Sequence, residues 1–407
     1  MAIANGADLS LYHLLDPEIL ADPYPLYARL RNEDPVHWDP YLHAWVVTRY
    51  EDVLQVFQRF SADRTPTPER LATLGMEGLT PIAKVMVRQM LFMDPPDHTR
   101  VRKLAAAAFT PRRVEEMRSR VEEITNSLID QVLGAGEMDA MEAIANPLPA
   151  IVTAEMFGIS SGDHRLLKDW SQDFAEMLGN FQHNPGRAGR VLRSLEAMTE
   201  YFRGAVKQQI ARPTGGLIEA LAAATVDGDR LTEEEVVANL IITMVGGQET
   251  TTNLIGNGLL TLLSWPEEME RLRRDPSLMP SAVEELLRYE SPSQHTARLA
   301  AADIQLGGKA IKQRDAVIAV MGAANRDPQR FPDPNRLDLG RHDNRHVAFA
   351  WSSHFCFGAP LARLEGQIVL RTLLARLPDL RLKTPHVEWR PNLGLRGLTA
   401  LWLEYSA

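Results

Sequence analysis

The chain has 407 residues, 45% hydrophobic and 24% charged, ordinary globular proportions with enough apolar material to enclose a bulky cofactor. Its formal net charge of −9 argues against general nucleic-acid binding, which needs a basic surface. No basic segment followed by an apolar run opens the chain. The most apolar stretch, Val236 to Val245, contains Asn239 and runs into Gly-Gly-Gln-Glu, too short and too polar to span a bilayer. The expectation is a cytoplasmic protein that neither enters a membrane nor binds nucleic acid.

Near the N-terminus, Val36-His-Trp and Ala44 to Tyr50 read as a strand pair around the turn Asp39-Pro40-Tyr41. From Glu51 onward helical periodicity dominates: Val53, Val56 and Phe57, then Val114, Met117, Val121, Ile124 and Ile129. Pro and Gly mark joints at Asp94–Asp97, Arg212–Gly216 and Arg326-Asp-Pro. Strand-like runs return at Asp303–Leu306, Ala316–Val320 and Leu398–Tyr405. The pattern predicts a mainly α fold with minor β at both ends. No repeat, low-complexity segment or composition break divides the chain, so residues 1–407 read as one domain.

Thr232 to Glu235 forms a capping box, a hydroxyl at the N-cap and a carboxylate three residues on. The helix it opens runs to about Ser264, where Trp265-Pro266 stops it, a span of roughly 45–50 Å. In its middle lie Gly246-Gly247-Gln248-Glu249-Thr250-Thr251. Each glycine there costs about 1 kcal/mol relative to alanine, which suggests close approach of something flat, or else a tolerated kink against another helix. Thr250 can bond back to a carbonyl one turn earlier and bend the helix. Further on, Glu285 and Arg288 stand three apart on one helical face; alone they would read as a solvated surface pair.

The single cysteine, Cys356, cannot form an internal disulfide, so its use is packing or thiolate chemistry. After it, Gly358 and an amphipathic run through Leu361, Leu364 and Ile368 read as a helix start. Orphan N–H groups and the dipole there favour a thiolate, the form that binds iron.

The segment Phe349-x4-His354-x-Cys356-x-Gly358-x2-Leu361-Ala362-Arg363 resembles the haem-binding loop of cytochromes P450, and the other motifs follow in the family's order from about Pro23 to the C-terminus. The soluble bacterial class is the nearest likeness. The resemblance implies haem b bound through Cys356 as axial iron ligand, with Phe349 and Gly358 in the loop and the propionates met by His98, Arg102, Arg298 and His354. Gly246 and Gly247 become the oxygen-binding groove, and Glu249 and Thr250 the acid–alcohol pair that delivers protons. Glu285, Arg288 and Arg336 become a structural charge network, although Leu337 stands where an aromatic is common. The family's loop has glycines at the positions of Ala350 and Ser352, where left-handed geometry would cost about 1 kcal/mol or more, so a different loop path is one expectation.

The implied activity is a monooxygenase that hydroxylates or epoxidises a hydrophobic small molecule with dioxygen. Its electrons would come from a ferredoxin and its reductase, and a monomer is expected. Arg100, Lys103, Arg112 and Arg113 could dock an acidic ferredoxin or simply form a solvated helix face. Substrate-facing segments are expected at Leu74–Phe92, Phe174–Phe181, Leu240–Thr250, Ser293–Thr296 and Leu395-Arg396. Within them Gln294, His295, Thr296, Leu395 and Arg396 are the named candidates. Two rivals are a peroxide-driven peroxygenase, disfavoured by the Glu249–Thr250 pair, and a haem-binding carrier or sensor, which has little use for that pair. A third is a cofactor-free helical interaction protein.

Overall fold

The computed structural model describes residues 9–73, 75–179 and 185–406. The expected positions Leu74 and Phe181 lie outside these. Among the described residues helices predominate and the strands are short, as the sequence pattern predicts. No helix of the described residues is long and apolar enough to cross a membrane.

The parts that frame the site are the helices α1 (Asp97–Ala108), α2 (Pro147–Phe157), α3 (His164–Gly179), α4 (Pro185–Ala211), α5 (Glu233–Ser264), α6 (Met279–Tyr289) and α7 (Ala359–Arg376). The strands that matter are β1 (Val36–Asp39), β2 (Ala44–Val47), β3 (Glu137–Asp139), β4 (Thr296–Leu299), β5 (Ala316–Ala319), β6 (Arg381–Leu382) and β7 (Trp402–Glu404).

Helix α5 is the axis. The Thr232 hydroxyl accepts from Glu235 N and the Glu235 carboxylate accepts from Thr232 N, so both halves of the capping box form. The helix then crosses the largest apolar core, packing against α2, α3, α4, α6 and α7. It is buried on every side over most of its length, which is why its sequence shows no clean amphipathic stripe. A Cβ at Gly258 would touch Leu286 of α6 and Leu370 of α7, so that glycine sets how closely three helices approach.

The expected hairpin is present: β1 pairs antiparallel with β2, Val36 opposite Val47. β5 adds parallel to β2, with Ala44 beside Ala316, and β4 closes the sheet antiparallel to β5. Val47, Val53, Val56, Phe57, Val317 and Phe331 form a second core beneath it. The C-terminal strand is shorter than the run Leu398–Tyr405 predicts. Leu398 bridges Trp389 and Thr399 N donates to Glu388 O, so only Trp402–Glu404 pairs as β7, between β6 and β3.

Candidate active site

Cys356 sits on a loop that doubles back before α7. Ala350 N donates to Val347 O at 2.9 Å, Phe355 N to Ser352 O at 3.0 Å, and Cys356 N to Phe349 O at 2.8 Å. The last bond brings the two ends of the motif together. Ala350 and Ser352 have φ of 58° and 62°. The loop therefore holds left-handed turns at both positions although neither is glycine. Gly358 caps α7, and the N–H groups of Gly358 and Ala359 point at the Cys356 sulfur. Burial pushes the thiol up; those two N–H groups, Arg102 and Arg363 oppose it. The helix start thus favours the thiolate but does not by itself overcome burial, and a bound cation is what would tip the balance.

Beside the loop lies a cluster of basic side chains. The His98 and His354 rings are 4.1 Å apart between centroids, and Arg102 Nη2 donates to Phe355 O at 2.6 Å. Arg298 is buried and donates to Thr296 Oγ1 at 3.2 Å and Ala297 O at 2.8 Å. Burial holds His354 down to about 3, helped by His98 and Arg298, and holds Arg298 down to about 10 against the pull of Asp94. His98 is lowered by burial and then by Arg102. Arg64, which carried no sequence signal, is the fifth member. Burial and Arg298 push it down to about 9, and its guanidinium lies 4.6 Å from the Phe92 ring centre. The Nε2 atoms of His98 and His354 are buried without a hydrogen-bond partner among the described residues. Asp94 is the carboxylate that acts on Arg298, His98 and His354, so three guanidiniums and two imidazoles gathered here are short of anions, a complement for two carboxylate groups.

On α5, Thr250 Oγ1 donates to Gly246 O at 2.6 Å, the expected back-bond. Gly246 is exposed although its helix neighbours Met244 and Val245 are buried, and a Cβ there would meet nothing within 4 Å. A Cβ at Gly247 would stand 3.3 Å from Thr153 Oγ1 of α2. The helix is open on the Gly246 side and closely covered on the Gly247 side. Glu249 is buried, its Oε1 2.5 Å from Nη2 of Arg390, which also reaches Asn253 Oδ1. Lys168 of α3 faces the same carboxylate. Arg390 was not foreseen, because it lies 141 positions along the chain with no motif around it.

One expectation needs correction. Glu285 and Arg288 are fully buried and joined at 2.7 Å, a structural pair and not the solvated one that their spacing alone suggests. The second guanidinium on Glu285 belongs to Arg341, whose Nε lies 3.1 Å from Oε2, and not to Arg336. Arg336 is exposed and contributes its backbone carbonyl, which accepts from Arg288 Nη2 at 3.2 Å. Its neighbour Leu337 is fully buried, which turns the Arg336 side chain outward.

Among the substrate candidates, Gln294 is 1% exposed, packs its Oε1 against Gly322 and donates Nε2 to Ser291 O at 2.8 Å. Arg396 is committed to Glu290 at 2.6 Å and to the Leu20 and Ala21 carbonyls. Both side chains turn into the scaffold, Gln294 toward Ser291 and Gly322 and Arg396 toward Glu290 and the Leu20–Ala21 backbone. His295 is buried beside Gly394, and burial holds it down to about 4. Thr296 and Leu395 remain partly accessible. Of the expected docking cations, Arg100 pairs with Glu235 and Asp229, Lys103 with Asp227 and Arg112 with Glu116, while Arg113 donates to Gly215 O at 2.7 Å. Three of the four charges are matched within the chain.

A thiol at a helix start, an anion-seeking cluster beside it and a long helix opened at a glycine are the parts of a haem-thiolate protein, and these residues fit a haem. The family model described as cytochrome P450 matches residues 46–388. The chain is 40% identical over 402 residues to cytochrome P450 monooxygenase PikC of Streptomyces venezuelae, covering 95% of this chain and 92% of that one. It is 38% identical over 392 residues to 6-deoxyerythronolide B hydroxylase of Saccharopolyspora erythraea, covering 93% and 95%. The solved structure of P450BioI in complex with hexadec-9Z-enoic acid ligated acyl carrier protein superposes with a TM-score of 0.89 at 36% identity, covering 96% of this chain and 99% of that one. The chain belongs to the cytochrome P450 family and is a monooxygenase of that family.

Proposed function

We propose that the chain, acting as one domain, hydroxylates or epoxidises a hydrophobic small molecule with dioxygen and electrons from a ferredoxin and its reductase. The observation that carries this reading is the placement of the Cys356 sulfur at the start of α7 beside an anion-deficient basic cluster. Haem b, ligated by Cys356, would supply the oxygen-activating chemistry, with overall stoichiometry of substrate C–H, dioxygen, two electrons and two protons giving C–OH and water.

The chain's own residues do the rest. Arg102, Arg298 and Arg64, with the neutral imidazoles of His98 and His354, bind the two propionates as cations and hydrogen-bond donors. Phe349 shields the sulfur side and is itself covered by Arg363, 4.6 Å from its ring centre. Gly246 leaves the backbone bare where dioxygen must approach. Thr250 holds the proton to be delivered at its hydroxyl, and Glu249 passes protons inward from the solvent side. Glu285, Arg288 and Arg341 fix the loop that leads into the cysteine segment. Thr296 and Leu395 line the substrate side, where apolar contacts suit a hydrophobic ligand.

The test has two arms. Hexadec-9Z-enoic acid and 6-deoxyerythronolide B are titrated, with a wider apolar library, for the low-spin to high-spin absorbance change of the haem. Compounds that give it are then turned over with a reconstituted ferredoxin system or with hydrogen peroxide. Oxygenated product from dioxygen and reductant supports the proposal; product from peroxide alone contradicts it.

A further inference from the structure

Glu249, the acid of the acid–alcohol pair, is held by a residue from the far end of the chain. Arg390 Nη2 lies 2.5 Å from Glu249 Oε1, and the same guanidinium reaches Asn253 Oδ1, one helical turn further along α5. Arg390 is itself fixed. Its N–H donates to Gly397 O at 2.9 Å, and the flanking bridge between Trp389 and Leu398 makes residues 389–398 a narrow hairpin. Gly397 is the spacer: a Cβ there would collide with both Asn253 Oδ1 and Arg390 Nη2. Two further donors in the cluster, Arg390 Nε and Asn253 Nδ2, are buried without a partner among the described residues. The tip of the same hairpin reaches the substrate side. Leu395 bridges Ser293, and Gly394 N donates to Gly179 O at the end of α3.

We propose that Arg390 is a positioning residue for proton delivery, holding the Glu249 carboxylate in place through the hairpin, with Gly397 as the gap that lets it reach α5. This rests on the monooxygenase reading above. A guanidinium suits the task, because the two N–H groups of the planar Nη2 point in fixed directions and one nitrogen meets both the carboxylate and the Asn253 amide oxygen.

The experiment uses the holoenzyme without substrate, with a surrogate ferredoxin and reductase supplying electrons, and measures oxygen consumption in H2O and in D2O. Arg390→Gln is expected to slow consumption about tenfold and to raise the solvent isotope effect, as expected when proton delivery limits the rate. Glu249→Gln should do the same, and the double variant should be no slower than Glu249→Gln alone, because the two act as one unit. Arg390→Lys should restore part of the rate. Gly397→Ala should reproduce Arg390→Gln by pushing the guanidinium off α5, and it carries the test if Arg390→Gln does not retain haem. A wild-type isotope effect in both Arg390→Gln and Gly397→Ala, or a double variant slowed by the product of the two single factors, overturns the inference. A wild-type protein lacking the thiolate absorbance signature overturns the monooxygenase reading, and this inference with it. A normal signature with unchanged variants overturns this inference alone.

Discussion

Arg363 grips Glu284 with the Nε–Nη2 edge of its guanidinium, Nε to Oε1 at 2.6 Å and Nη2 to Oε2 at 2.8 Å. The same guanidinium covers Phe349, and His346 Nε2 lies 3.2 Å from Glu284 Oε2. One carboxylate on α6 thereby ties down the first turn of α7 and the start of the cysteine loop.

That tie makes stability depend on pH. Burial alone would raise Glu284, but Arg363 and His346 outweigh it and hold the carboxyl down to about 2 from an ordinary 4.5. A depressed value in the folded state stabilises fully above pH 4.5, and the contribution is lost as pH falls from there toward 2. The loss is on the order of 2–3 kcal/mol, reduced somewhat by the partial exposure of the pair. Urea unfolding of wild type and Glu284→Gln between pH 5 and about 3 checks this: the variant should be less stable at pH 5, and the gap should close in acid.

The corrected charge network separates two arginines. Arg341→Ala strips Glu285 of one of its two guanidiniums and removes a donor to Pro332 O, and should destabilise by about 1–3 kcal/mol. Arg336→Ala leaves its backbone carbonyl in place and should change stability by no more than about 0.5 kcal/mol. Denaturant midpoints of the two variants decide it, and equal losses would return Arg336 to the network.

Ala350 and Ser352 hold left-handed backbone at a cost of about 1–2 kcal/mol each. Glycine removes that cost but adds about 0.4–1 kcal/mol of unfolded-chain entropy. Ala350→Gly should therefore stabilise by up to about 1 kcal/mol, and Ala350→Val should destabilise. Thermal unfolding of the haem-loaded protein reads both.

Thr250→Ala should keep oxygen consumption but lower product per electron, by about an order of magnitude, with any substrate found by spin-shift titration. Thr250→Ser retains the hydroxyl and should retain most of the coupling. A fully coupled alanine variant would move the proton-holding role away from Thr250.

What could be read from the sequence was local. The capping box at Thr232 and Glu235, the back-bond of Thr250 to Gly246 and the helix start after Cys356 each need only a few neighbouring residues, and the mainly helical fold follows from such patterns. Pairings across the chain left no trace of that kind. Arg390 meets Glu249, Arg341 meets Glu285, and Arg64 joins Arg298 only because the fold brings distant segments together. The sequence also could not say which way a side chain turns. Gln294 and Arg396 sit in segments expected to face substrate, yet the Gln294 amide N–H turns inward to Ser291 O and the Arg396 guanidinium to Glu290 and the carbonyls of Leu20 and Ala21.

The most direct test of iron ligation by Cys356 is the absorbance spectrum of the reduced, carbon monoxide-treated holoprotein, taken for wild type and Cys356→Ser. Wild type should show the strongly red-shifted Soret band that marks a thiolate opposite carbon monoxide, and the serine variant should lose it along with turnover. A wild-type band at the position of a histidine-ligated haem, or an unchanged band in the serine variant, would contradict the account.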